Sequence, residues 1–317
     1  MKILVTGGAG FIGSHLVDAL LARGKEVHVV DNFSTGLKRN IPKGVKLWEL
    51  DIRNPYIQTL IQREKYEVIY HQAAQLNLRK SVEEPIYDAE VNILGSLQVL
   101  EGATKAGTRL IIFASSGGTV YGEQLCFPAS EDHPLQPISP YGVAKVTTEH
   151  HLYYYYVTYG LPYISLRYSN VYGPRQNPHG EAGVVAIFIE RLLRSEPCII
   201  NGDGLQTRDY IYVQDVIEAN ILALEHHLAN PDWIGTFNVG TGIETNVIQI
   251  YEEIQKNGFA EIPPSYGPPK KGEQRRSVIS SERLKSQTGW KPQISLKEGI
   301  QKTVRWFRQN FHNNHNN

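Results

Sequence analysis

Lys2-Ile3-Leu4-Val5-Thr6-Gly7-Gly8-Ala9-Gly10-Phe11-Ile12-Gly13 joins an apolar run, a glycine-rich turn and the start of an amphipathic stretch. Residues 2–6 read as a short buried strand. Phe11 to Arg23 reads as a helix that turns Ile12, Leu16, Ala19, Leu20 and Ala22 toward a sheet, with Gly24 just past its end. Strand, glycine turn and helix, in that order, form the context in which a glycine pattern marks a dinucleotide site. Glycines at 7, 10 and 13 let the backbone turn tightly and approach a pyrophosphate, whose charge then rests on the helix N-terminus beside Phe11 and Ile12. The spacing, G-x-x-G-x-x-G, is one residue longer than G-x-G-x-x-G. Alone it is an ordinary glycine-rich turn.

The next run, Glu26-Val27-His28-Val29-Val30, ends in Asp31. A carboxylate there accepts hydrogen bonds from an adenosine ribose and repels a 2′-phosphate, which selects NAD over NADP. Asn32, Phe33, Ser34, Thr35 and Gly36 continue as a loop able to follow the ribose and phosphates. Leu47 to Ile52 reads as a third strand whose end, at Asp51 and Ile52, meets the adenine. Either aspartate alone is no more than a loop cap; together, in order and at strand ends, they point to a bound dinucleotide.

Apolar runs at residues 2–6, 26–30, 46–50, 67–71, 109–114 and 162–167 alternate with helix-like segments. The alternation predicts an α/β fold built on a doubly wound parallel sheet with helices on both faces, where ligands collect at the carboxyl ends of the strands. The polar segments fall at those ends. Gln72-Ala73-Ala74-Gln75 follows the fourth run, its small alanines admitting a cofactor closely. Asn92 is expected to begin a helix, with Gly95 one turn on. Ser115-Ser116-Gly117-Gly118-Thr119-Val120-Tyr121-Gly122 follows the fifth run and turns small hydroxyl residues toward a nicotinamide and a substrate hydroxyl.

Ser139-Pro140-Tyr141-Gly142-Val143-Ala144-Lys145 starts another helix, with Ser139 as its cap and Pro140 in its first turn. Residues four apart share a helix face, so the Tyr141 phenol and the Lys145 ammonium lie side by side. A cation there favours phenolate, lowering a pKa that starts near ~10. Tyr and Lys at this spacing occur on many solvated helices; the glycine turn and Asp31 give the pair its chemistry.

The 317 residues suit one large or two intimately joined domains. Lys+Arg and Asp+Glu number 32 each, which gives no electrostatic case for nucleic acid or anionic lipid. The two cysteines, Cys126 and Cys198, lack metal-ligand spacing and are expected as reduced thiols of a cytoplasmic protein. A strand starting at residue 2 is expected to leave no room for a signal peptide, and no apolar run is long enough to span a bilayer. The polar tail His312–Asn317 is given no metal role.

Around Tyr168 the alternation fades, and prolines and glycines crowd residues 173–183 and 262–272. The expected division is a dinucleotide-binding domain over 1–168 and a smaller mixed α/β substrate domain over 169–317, with some segments of the latter returning to the first. Tyr153-Tyr154-Tyr155-Tyr156 share the helix of Tyr141 and cannot all face inward; those outside suit packing against a second subunit.

With these residues assembled, the chain resembles the NAD-dependent sugar-nucleotide epimerase/dehydratase family of extended short-chain dehydrogenase/reductases, which build on a Rossmann-type sheet. The carriers are Thr6 to Gly13, Asp31-Asn32, Asp51-Ile52, Tyr141-Gly142-Val143-Ala144-Lys145, Leu166-Arg167-Tyr168-Ser169-Asn170-Val171-Tyr172-Gly173-Pro174, and Gly202-Asp203-Gly204 through Thr207-Arg208-Asp209-Tyr210. Within the family, Ser115 to Gly122 and Gly180 to Phe188 are most similar to 4-epimerases acting on UDP-glucose. The resemblance implies that Tyr141 is the base for the sugar 4-hydroxyl, that Lys145 holds the nicotinamide ribose, and that NAD is bound tightly and ends each turnover oxidised. It also places Tyr168 at the cofactor and Asn170 and Arg208 on the diphosphate of a UDP-sugar, in a homodimer. Three positions depart from the family pattern. The hydroxyl partner of the catalytic tyrosine falls at Gly117, which leaves Ser116 or Thr119 to contact the sugar. The second phosphate-binding arginine corresponds to Lys270-Lys271-Gly272-Glu273, so Lys270, Arg275 or Arg276 takes that part. An asparagine near the uridine is replaced by Val184. Dehydratases and decarboxylases of the family carry an acid at the position of Thr119, so 4-epimerisation of UDP-glucose ranks first. Epimerisation of UDP-glucuronate or UDP-N-acetylglucosamine follows, and a non-catalytic NAD-binding module comes last.

Overall fold

The computed structural model describes residues 1–179, 183–269 and 274–311. Its strands are β1 (Lys2–Thr6), β2 (Glu26–Asp31), β3 (Lys46–Glu49), β4 (Val68–His71), β5 (Leu110–Ser116), β6 (Tyr163–Tyr168), β7 (Asn170–Tyr172), β8 (Ile199–Asn201), β9 (Thr207–Tyr212), β10 (Gly235–Val239), β11 (Glu244–Asn246), β12 (Ser265–Gly267) and β13 (Arg276–Ser277). The helices that position the site are α1 (Phe11–Ala22), α2 (Tyr56–Glu64), α3 (Leu78–Glu83), α4 (Pro85–Ala89), α5 (Gly95–Ala106), α6 (Pro140–Tyr159), α7 (Val184–Leu193) and α8 (Val213–Ala229).

Seven strands form one parallel sheet in the order β10-β6-β5-β4-β1-β2-β3, the doubly wound architecture that the alternation predicts. Side chains leave its two faces alternately. Leu4, Ile69 and Ile111 meet Ile57, Leu60 and Leu100 of α2 and α5; Ile3, Val5 and Tyr70 meet Leu16, Val17 and Leu20 of α1 and Val216 of α8. The buried face of α1 differs from the expected one: Val17 is inside and Ala22 is exposed, because the helix rolls to bring Gly13, Ser14, Leu16, Val17 and Leu20 onto the sheet.

The order of the strands reverses between β1 and β4, so the turn after β1 and the loop after β4 face each other at a topological switch point. After Tyr168 the chain leaves this sheet for smaller ones: β9 pairs with β7, β11 and β13, and β8 pairs with β12. It returns with α8, packed on α1, and with β10, paired to β6. Among the described residues no helix is long and apolar enough to cross a membrane.

Candidate active site

At the switch point the glycines are required by contact. A methyl group added at Gly7, which has φ +67, would lie 2.7 Å from the Ala73 nitrogen; one added at Gly13 would strike the Gly7 carbonyl. The backbone after β1 is thereby pressed against Ala73 and left bare for a ligand. Asp31 closes the far side, with its Oδ2 accepting from Ala9 N at 2.9 Å and its Oδ1 from Phe33 N at 2.8 Å. Burial pushes its carboxyl up, opposed by those two N–H groups. Gly36 packs onto Asp31, and Asn32 donates to Asp51 Oδ2 at 2.9 Å. The Arg53 guanidinium grips Asp51 and draws its carboxyl down to about 2. Ser34 and Thr35 stand exposed beyond it, and Ile52 is buried against Gly95. This bare glycine turn, ending at a carboxylate held open at a strand end, fits a dinucleotide.

A hydrogen-bonded strut ties the two loops together. His71 is enclosed between Thr6 Oγ1, 2.7 Å from Nδ1, and Ser96 Oγ, 2.9 Å from Nε2. Ser96 donates its proton to the Asn92 carbonyl at 2.7 Å, so His71 carries its hydrogen on Nε2 and accepts from Thr6. Burial drives its pKa to about 3, and the ring is neutral. Asn92 in turn accepts from Gln75 N at 2.9 Å and donates to the Gln75 carbonyl at 2.8 Å. It does not begin a helix: α4 starts at Pro85, and Asn92 sits in a single wide turn (Glu90–Leu94, π-type) that feeds into α5. Such bulges re-aim one side chain, here toward Gln75.

Helix α6 begins as the sequence predicts, with Ser139 Oγ accepting from Gly142 N at 3.1 Å and Pro140 in its first turn. Lys145, buried, donates to the Ala114 carbonyl of β5 at 2.8 Å and lies 5.5 Å from the centre of the Tyr141 ring. The expected lowering of the Tyr141 pKa is overturned in this arrangement. Burial pushes the phenol up, the Asp88 carboxylate adds to this, and only the Ser116 hydroxyl draws it down. Burial also lowers Lys145 to about 8, against Asp88 and Glu149.

Ser116 ends β5 opposite Tyr168, near enough to Tyr141 for its hydroxyl to draw the phenol down. Thr119 Oγ1 is buried without a partner among the described residues. Gly117 is closed to a side chain, since a methyl there would lie 2.5 Å from Ile279 Cδ1 and 3.2 Å from the Arg167 carbonyl. Gly142 is likewise constrained: its missing methyl would sit 2.8 Å from the Thr119 carbonyl, so α6 presses directly on the loop after β5. The Tyr168 phenol accepts from Gln72 at 3.2 Å and donates to Asn220 at 3.0 Å. Asn170 pairs across from Tyr210 of β9, two residues along from Arg208, which puts Asn170 and Arg208 on one side of the small sheet. Arg208 Nη1 donates to the Thr207 carbonyl at 2.8 Å. Arg275 and Arg276 are each held by a carboxylate in a two-point pair, Asp203 and Glu244 respectively. Lys270 lies outside the described residues. Val184 opens α7 and packs on the apolar core.

Sequence reasoning missed Asp88, Gly142 and Ile279. Asp88 sits in a helix with no motif of its own, and the other two are constrained by partners far away in the chain.

Residues 3–240 match the model of the NAD dependent epimerase/dehydratase family. The chain belongs to this family. Among family members, the UDP-glucose 4-epimerase of Mycolicibacterium smegmatis is 44% identical, the match covering 97% of this chain and 99% of that one. The solved structure of the UDP-glucose 4-epimerase of Thermotoga maritima with UDP-glucose is 46% identical, covers 98% and 100% of the two chains, and superposes with a TM-score of 0.94. That of the Thermus thermophilus UDP-glucose 4-epimerase in complex with NAD is 45% identical, covers 97% and 99%, and has a TM-score of 0.91.

Proposed function

We propose that this family member is a UDP-glucose 4-epimerase that interconverts UDP-glucose and UDP-galactose on tightly bound NAD. The observation that carries this is the convergence of Tyr141, Lys145 and Ser116 at the end of β5, across the switch point from a glycine turn that ends at Asp31. Relatives of 44–46% identity over nearly the whole chain bear the name of that enzyme. Residues 1–168 hold the cofactor, through Gly7, Gly10, Gly13 and Asp31 and the loops at 32–36, 51–52 and 72–75, with Asn92. Residues 169–317, apart from α8 and β10, hold the nucleotide sugar. Asp31 repels a 2′-phosphate and so sets NAD above NADP.

NAD, when bound, supplies the acceptor and donor of the sugar C4 hydride and a positive ring charge. Tyr141 takes the 4-hydroxyl proton and later returns it. Ser116 steadies the phenolic oxygen, and Lys145 stays protonated to hold the nicotinamide ribose. Asn170 and Arg208 grip the diphosphate, leaving the 4-keto sugar free to turn over between the two half-reactions. Thr119 is no acid, which disfavours expulsion of a second hydroxyl. The exposed outer face of α6, with Tyr153, Tyr154 and Val157, pairs with a second copy of the chain. Cys126 and Cys198 are both free thiols, which suits a reducing cytoplasm.

Incubation with UDP-glucose and, separately, UDP-galactose tests this. The expected result is interconversion without net NADH, abolished by several orders of magnitude in Tyr141→Phe. A 4-keto-6-deoxy product, or no product with either sugar, would overturn it.

A further inference from the structure

Asp88 is buried, at 1% exposure, on α4. Its Oδ1 accepts from Gln75 Nε2 at 2.8 Å and from Asn92 Nδ2 at 2.9 Å. Its Oδ2 is buried without a hydrogen-bond partner among the described residues. Burial pushes the Asp88 carboxyl up, while the two N–H groups on Oδ1 favour its ionised form. A buried anion requires a compensating cation. Helix α4 packs on α6, and Lys145, buried on α6, is the ammonium whose field reaches Asp88; the field of Asp88 acts back on Lys145 and on Tyr141.

The remaining charges nearby are committed elsewhere. Glu149, one turn beyond Lys145, accepts from Ser115, Ser165 and Arg167 and forms a 2.6 Å ion pair with the latter. His71 is neutral. Lys80 Nζ and the Arg53 guanidinium lie 4.3 and 5.1 Å from the Tyr87 ring centre, with Glu84 beside Lys80 and Glu90 beside Arg53.

We propose that Asp88 is a positioning residue with two functions. Its charge helps to hold Lys145 as an ammonium, and its paired oxygen clamps Gln75 and Asn92 at the cofactor edge. The inference rests on the roles given above to Lys145 and to the Gln75–Asn92 loop. Burial alone pulls Lys145 toward neutrality; Asp88 opposes it most, and Glu149, paired with Arg167, adds a smaller share. The Asp88 carboxylate also resists ionisation of Tyr141, an effect that the positive ring charge of bound NAD would oppose.

Two variants separate the functions. Asp88→Asn keeps an oxygen for both N–H donors and removes the charge; Asp88→Ala removes both, with Asp88→Ser in its place should the alanine protein fail to fold. Lys145 is followed by NMR titration of protein carrying isotope-labelled lysine, its resonance assigned by its loss in Lys145→Arg. This readout needs no substrate and no turnover, so it stands even if the protein proves inactive on UDP-glucose. In Asp88→Asn the Lys145 midpoint is expected about one pH unit or more lower, with NAD affinity, measured by fluorescence titration, within about twofold of wild type. In Asp88→Ala the midpoint falls likewise and NAD binding weakens about tenfold. A Lys145 midpoint unmoved in Asp88→Asn overturns the counter-charge. Unchanged NAD affinity in Asp88→Ala, or in Asp88→Ser where it stands in, overturns the clamp.

Discussion

Ile279 decides what Gly117 is allowed to be. It is 1% exposed and packs with Val120, Tyr121 and Ala129, so its Cδ1 has little room to yield to a new side chain at 117. Gly117→Ser is therefore expected to destabilise the protein by about 1–3 kcal/mol. Ile279→Val, which deletes the offending methyl, should recover part of that loss in the double variant. Denaturant melts of the four proteins would show a coupling of at least about 0.5 kcal/mol, and strictly additive losses would refute the contact. Lys145 carries a second residue-level consequence. Its folded pKa, about 8, lies below the ordinary lysine value of 10.5, so between those limits the unfolded chain binds a proton that the native protein releases. Stability thus rises with pH across that window, by about 3 kcal/mol for a difference of this size. In Lys145→Met this rise should be missing. Unfolding curves of both proteins at about pH 7.5 and about pH 10.5 test it, and parallel pH dependences would count against it. The spacing of Tyr141 and Lys145 was legible in the sequence; the direction of the Tyr141 shift was not, because burial and Asp88 come from elements distant in the chain.

At the scale of elements, α6 is held in place by a missing methyl. Gly142 lets the first turn rest on the Thr119 carbonyl and beside Pro137, whose Cβ would be 2.9 Å from an added methyl. Gly142→Ala should lift this turn and carry Tyr141 away from Ser116. The expected effect is a fall in kcat of about a hundredfold, with NAD affinity nearly unchanged. Single-turnover rates and NAD titration would check it, and a wild-type kcat would refute it. The elements were readable wherever one local pattern sufficed: β1 with its glycine turn, the alternating strands, the cap at Ser139. They were misread where tertiary packing intervened. Asn92 reads as the start of a helix with Gly95 one turn on, yet Gly95 is there to let α5 pass Ile52, and the helical stretch runs back to Pro85. The face of α1 was misjudged for a similar reason: its small residues Gly13 and Ser14, not Ala22, meet the sheet.

For the whole molecule, the sequence foretold a doubly wound sheet and a return of some later segments to it, but not which ones, since nothing local in Gly235–Val239 marks it as belonging to the first sheet. Nor does the fold use all its apolar surface internally. Tyr155 of the tyrosine run turns inward and donates to Glu101 at 2.6 Å, while Tyr153, Tyr154 and Val157 remain 59%, 48% and 62% exposed. Ile86 and Leu94, on helices that pack against α6, are 76% and 54% exposed. Scattered apolar residues on a surface need no partner, but a helix face this rich in aromatic rings and branched aliphatics, on neighbouring helices, has the composition of an interface core. If a second copy covers it, one charge placed at its centre is enough to oppose association, because a carboxylate there would be stripped of water. Val157→Glu, or Tyr153→Glu with Val157→Glu, should convert a particle of twice the 35.7 kDa chain mass into one of single mass. Light scattering after size-exclusion chromatography reads this directly. Tyr141 and Lys145 lie on the same helix but turn to the opposite side, so the monomeric variant should still bind NAD. A wild-type protein that runs as a monomer, or a double glutamate variant that still runs as a dimer, would place the contact elsewhere or remove it.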